Sequence, residues 1–115
     1  MAKALHPDVT FHAAPFKEPV RGRDNVLRLL ATLSALFKKI EFTDELWGDE
    51  SYVFVVGVTL EGGHHIEIVD HVQHDDDLLV KRVTTYARPL DSLRLVAERL
   101  ADTHANLTGS ASSSA

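Results

Sequence analysis

The chain has 115 residues, 44% of them hydrophobic and 25% charged, which suits one globular domain around a single core. A formal net charge of -5 and a pI near 5.7 argue against a nucleic-acid footprint or an anionic membrane surface as partner. The absence of cysteine excludes a disulfide framework, a thiol nucleophile and a thiolate metal site. No apolar run approaches membrane-spanning length, and the Met-Ala-Lys-Ala start lacks the apolar stretch of a signal peptide, so a cytoplasmic location is expected.

In chain order, Val9 to Phe11 reads as a short strand, followed by a loop holding Pro15 and Pro19. Beyond Gly22, the spacing of Val26, Leu29, Leu30, Leu33, Leu36 and Phe37 predicts a helix from Asp24 to Lys39. Asp24 suits the positive end of its dipole, and Lys38 and Lys39 suit the negative end. Glu41 to Trp47 alternates as a strand, and Gly48-Asp49 marks a turn. Tyr52 to Leu60 is rich in Val, Phe and Thr and apolar on both faces, which predicts a central strand. Glu61-Gly62-Gly63 closes a hairpin onto the strand His64 to His74. The Asp75-Asp76-Asp77 turn leads to a last strand, Leu79 to Arg88, which stops at Pro89. Asp91 to Asn106 forms a second amphipathic helix with Leu93, Val96, Ala97 and Leu100 on one stripe, and residues 109–115 form a flexible Gly/Ser/Ala tail. The expected domain, residues 1–108, is α+β, with both helices on the concave side of a strongly curved, cone-shaped antiparallel sheet.

One residue breaks the pattern. Side chains on a strand alternate between faces, so Ile66, Ile68, Asp70 and Val72 share one side. His65, Glu67, Val69, His71 and Gln73 share the other. Asp70 therefore sits in the row that should face the core, where a bare carboxylate is costly. It is the first candidate for a functional group, set against a structural carboxylate paired with a buried Arg or hydroxyl.

Other candidates are weaker. Trp47 and Tyr86 could line a pocket or serve as core and interface aromatics, and Phe16 suits a lid in its loop. Arg21 and Arg23, ahead of the first helix, read as surface charges that could also steer an anion. His64, His65, His71 and His74 with Asp75 to Asp77 invite a metal, but strand geometry opposes it. Positions six apart lie roughly 20 Å from one another at about 3.3 Å per residue. No metal site and no cofactor are expected.

Several segments, taken in order, resemble the nuclear-transport-factor-2-like superfamily, most closely its SnoaL-like (polyketide-cyclase-like) branch. They are Leu5-His-Pro-Asp-Val-Thr-Phe-His, Arg21-Gly-Arg-Asp, Phe42-Thr-Asp-Glu-Leu, Val69-Asp70-His71 and Ala87-Arg-Pro-Leu. The resemblance runs from Leu5 to Asp102 and implies a cone whose mouth takes a ligand. Ketosteroid isomerases of this superfamily carry an Asp-His pair where Val69-Asp70-His71 stands. There the Asp, kept protonated by apolar surroundings, donates to a developing oxyanion.

By resemblance Asp70 inherits that position, but the isomerase base position falls at or near Ala13, and its tyrosine comes from an N-terminal helix most of which this chain is expected to lack, with Met1 to Leu5 ahead of the first strand. His12 adjoins the base position. Parity turns it outward with Phe11 and Ala13 inward, and a twist could bring it opposite Asp70 as a base. The expected ligand-binding set is Asp70, Phe11, Phe16, Trp47 and Ile68, with Asp70 and His12 as catalytic candidates.

Two readings of function follow, with a third held in reserve. The first is a protein binding a small, largely apolar molecule. The second is an enzyme performing isomerase- or cyclase-like acid–base chemistry on a carbonyl-bearing ring. The third is a ligand-free dimerisation module. A homodimer through the outer sheet face, where Val69, Tyr86 and one row of Tyr52 to Leu60 lie, is expected in each case.

Overall fold

The structure, a computed structural model, describes residues 4–14 and 16–108, with the backbone alone from 102 onward. Strand β1 (Leu5–Ala13) leads through the short β2 (Val20–Arg21) into helix α1 (Arg23–Leu36). Strands β3 (Phe37–Trp47), β4 (Ser51–Leu60), β5 (His65–His74) and β6 (Val80–Arg88) follow, and helix α2 (Leu90–Thr108) comes last. The six strands form one curved, unclosed sheet in the order β2-β1-β6-β5-β4-β3. The expected tail, residues 109–115, lies outside the described residues, as do Met1 to Lys3 and Pro15.

The sheet departs from the expected all-antiparallel form at one pair. β1 runs parallel to β6, with Phe11 beside Val83 and Ala13 beside Thr85. Parallel neighbours need a long crossover, and here nearly the whole chain between them supplies it. The expected strand at Val9 to Phe11 is a nine-residue strand that accommodates Pro7 next to a register shift between Leu5 and Thr10. Proline cannot donate a ladder bond, so an irregularity is where it fits.

Helix α1 also ends earlier than its periodicity suggests. Its C-cap is Phe37, already extended at φ -88° and ψ 121°, and Lys38 and Lys39 belong to β3 rather than to the helix end. Apolar spacing continues through Phe37 because that side chain still packs against the core from its first strand position. At the other end, Gly22 takes φ 90°, a conformation that L side chains rarely adopt. The Arg23 guanidinium donates to the Leu5 carbonyl at 2.8 and 3.0 Å, tying the helix start to β1. Arg23 thereby acts as a structural clasp.

The core lies between the helices and one part of the inner sheet face. Val26 and Leu29 of α1 and Val96 and Leu100 of α2 meet Val9, Phe11, Val20, Leu60 and Ile66, all buried. At roughly 25 cal/mol per Å², burial of these side chains is the main force holding the layers together. Ser92, the single buried polar residue among those described, donates to the His65 carbonyl at 2.7 Å and pins α2 to β5. The helices leave the β3 and β4 side of the inner face uncovered: Ile40, Phe42 and Trp47 of β3 remain largely exposed. No helix of the described residues is long and apolar enough to cross a membrane.

Candidate ligand-binding site

Cross-strand register determines which side chains surround Asp70. Directly opposed residues of an antiparallel pair share a face. Asp70 is opposed by Phe54 on β4 and by Thr85 on β6. One strand further out, Phe42 of β3 is opposed by Val56, and its ring meets that of Phe54 edge to face at 5.7 Å. The alternation that placed Asp70 on the apolar row is what the structure contains: Ile66 and Val72 on that row are buried.

The uncovered part of the inner face is hollow. A cavity of about 530 Å³ is lined by Ile40, Phe42, Tyr52, Phe54, Ile68 and Asp70, with aliphatic side chains of β4 and the ends of β1 and β6 completing the wall. Its size falls within the usual range for small-molecule sites. Among the described residues Asp70 is the single ionised-type group in that lining, where the remainder is apolar or aromatic.

The Asp70 carboxyl has one partner. Thr85 Oγ1 donates to Oδ1 at 2.5 Å. Oδ2 has no hydrogen-bond partner among the described residues. No wholly buried side-chain polar atom there is unpartnered, so Oδ2 borders open space. Burial pushes the Asp70 pKa above the usual carboxylate range, and the Thr85 hydroxyl, which stabilises the charged form, partly opposes this. The structural alternative of a hydroxyl partner is thus met at one oxygen only.

The other expected site residues are dispersed. Ile68 lines the main cavity and also a narrow one of about 50 Å³ beneath the helices. Phe11 and Phe16 line only the narrow one, together with Leu29, Leu33 and Leu93. Trp47 is 69% exposed and joins the wall through Tyr52, with ring centroids 4.7 Å apart.

His12 is not brought to Asp70. It is opposed by Thr84, which is opposed in turn by His71, so all three lie on the outer face. Its Nε2 is 2.9 Å from the Thr10 hydroxyl, and burial with the nearby charges of Arg82 and Arg21 holds its pKa below the ordinary histidine value. The twist that would turn His12 inward is absent from β1.

Among the described residues no three His, Asp or Glu side chains come close enough to hold a metal ion. The Asp75 carboxylate is engaged with the backbone N–H groups of Asp77 and Leu79, as expected of a structural turn.

Sequence reasoning missed Phe42, Tyr52 and Phe54 as wall residues. Their signal was present in the alternate row of β4, but β3 hides it. A register shift between Phe42 and Asp44 changes which parity faces inward, so no single alternation spans Glu41 to Trp47.

No protein-family model matches the chain. No curated protein matches it either. Among solved structures, it is similar to a steroid delta-isomerase from Pseudomonas aeruginosa, with a TM-score of 0.82 at 22% identity, covering 91% of this chain and 77% of that one. It is similar to an uncharacterised bacterial protein with a cystatin-like fold from Silicibacter pomeroyi, with a TM-score of 0.78 at 18% identity, covering 89% and 69%. A nuclear-transport-factor-2-like protein of unknown function from Mesorhizobium loti gives a TM-score of 0.69 at 10% identity, covering 76% and 75%. At these identities the likeness is one of fold, and a fold hosts many chemistries.

Proposed function

We propose that this chain, which has the nuclear-transport-factor-2-like fold, binds a small, largely apolar molecule in the cavity walled by β3, β4 and β5, with Asp70 as the polar group that orients it. The observation that carries this reading is a carboxyl set in an otherwise apolar wall with one oxygen facing open space. Apolar area supplies affinity in such a site, and a single polar group fixes direction. The test is an NMR titration with the hits of a thermal-shift screen of small apolar compounds. Amide shifts should concentrate at Phe42, Phe54, Ile68 and Asp70. Shifts confined elsewhere, or no hit in the screen, would overturn the reading.

A second reading has its own support: an enzyme in which Asp70 acts as acid or hydrogen-bond donor toward a carbonyl-bearing ring. Its raised pKa favours the protonated form that such a donor needs, and one structural neighbour is a steroid delta-isomerase. His12 has no part in it, being on the other face. Turnover across a panel of cyclic carbonyl compounds, abolished in Asp70→Asn with ligand binding kept, is the result this reading expects. No turnover by either protein removes it. The ligand-free module has the least support, because the side chains of the described residues leave the cavity open.

For assembly we propose a homodimer through the outer sheet face. Its support is the apolar row of Val55, Val69 and Tyr86, which are mutually opposed across three strands, with Val53 beside it. Tyr86 is 60% exposed on that row.

A further inference from the structure

Charge along this chain is divided between segments. Residues 40–80 hold eleven of its 17 carboxylates and none of its 12 lysines and arginines. That segment builds most of β3, all of β4 and β5, and the turns joining them, which together are most of the cavity wall. The β3–β4 turn and the β5–β6 turn meet at one end of the sheet, where the His74 N–H donates to the Glu50 carbonyl. Asp49, Glu50 and Asp75 to Asp77 collect there. Glu45 joins them from the inner face, opposed to Phe54 on β4.

Inside the cavity the same imbalance recurs. Among the described residues no lysine, arginine or histidine lines it, so the Asp70 carboxyl has no counter-charge from them. Its neighbours are instead aromatic: Phe54 directly opposite, Phe42 5.7 Å and Tyr52 5.0 Å from the Phe54 ring. Aromatic faces attract cations through their quadrupoles, and a largely desolvated carboxylate whose partner is a neutral hydroxyl gains further from an ionic one. A field of one sign around a low-dielectric cleft also concentrates ligands of the other sign.

Resting on the ligand-binding reading above, we propose that the ligand is a hydrophobic organic cation. Its ammonium group meets Asp70 Oδ2, and its apolar body lies against Phe42, Phe54 and Ile68. Bound in this way, the ammonium supplies the counter-charge that the wall lacks and favours the ionised form of Asp70.

The test compares two probes of nearly equal shape, 1-naphthylmethylammonium and the neutral 1-naphthylmethanol, titrated calorimetrically at pH 8. The cation should bind the wild-type chain about tenfold more tightly than the alcohol, the advantage of a charged hydrogen bond. In Asp70→Asn, confirmed folded by circular dichroism, the two affinities should converge to within about twofold. Phe42→Leu should weaken the cation more than the alcohol. Alcohol binding equal to or tighter than cation binding would overturn the cation while leaving the cavity reading intact. A cation preference unchanged in Asp70→Asn would do the same. Binding of neither probe would overturn both.

Discussion

At the scale of single residues, Asp70 makes the chain's acid–base behaviour testable without any ligand. Its folded pKa lies above the unfolded value near 3.8, so the folded protein holds the proton more tightly. The folded state binds more protons than the unfolded one between those two values, and stability falls as pH rises through that window. Above the folded pKa the deficit is constant. Asp70→Asn removes it, so the variant should gain stability over the wild type near neutral pH and show no gain below about pH 3. Thermal melts from pH 3 to 8 check the sign; a gain largest in acid would contradict the assignment. Thr85→Val takes away the hydroxyl that donates to Oδ1 and should destabilise by about 1 kcal/mol at neutral pH, with a smaller loss in acid. The position of Asp70 was legible from alternation alone. The partner at Thr85 was not, because strand register is a tertiary property.

At the scale of elements, what decides each boundary is a competition between local pattern and long-range pairing. Helical periodicity runs on through Phe37 to the lysines, yet the chain turns extended at Phe37 because pairing with Leu60 begins there. β3 then forms the sheet edge with ten of its eleven residues exposed. It carries Lys38, Lys39, Glu41, Asp44 and Glu45 and a register shift, features that discourage edge-to-edge pairing. The consequence for stability is uneven. Leu29→Ala, in the buried stripe of α1, should cost about 2–5 kcal/mol in chemical denaturation. Trp47→Ala, at the exposed end of β3, should cost about 1 kcal/mol or less. Ser92→Ala unties α2 from the His65 carbonyl and leaves that group without its donor, for a loss of about 1–3 kcal/mol. Equal losses at Leu29 and Trp47 would mean that the helices do not carry the core.

At the scale of the whole molecule, the two sheet faces have different tasks. The inner face is divided between a core under α1 and α2 and a cavity beyond them. The outer face places Val53, Val55, Val69 and Tyr86 among His12, His71 and Thr84 without a covering helix. If that face pairs two copies, Tyr86→Lys should shift light-scattering mass from dimer to monomer while leaving ligand binding in place. An unchanged mass would remove the proposed interface. The sequence by itself determined the α+β order of elements, the inward row holding Asp70 and the outward parity of His12. Each of these follows from backbone periodicity, which is a local property of the chain. Only the tertiary structure decided that β1 runs parallel to β6, that Phe11 and Phe16 line a different cavity from Asp70, and that aromatic rings of β3 and β4 wall the cavity at Asp70. Those arrangements depend on register and crossover between segments far apart in the chain, set by total burial rather than by any residue's own neighbours.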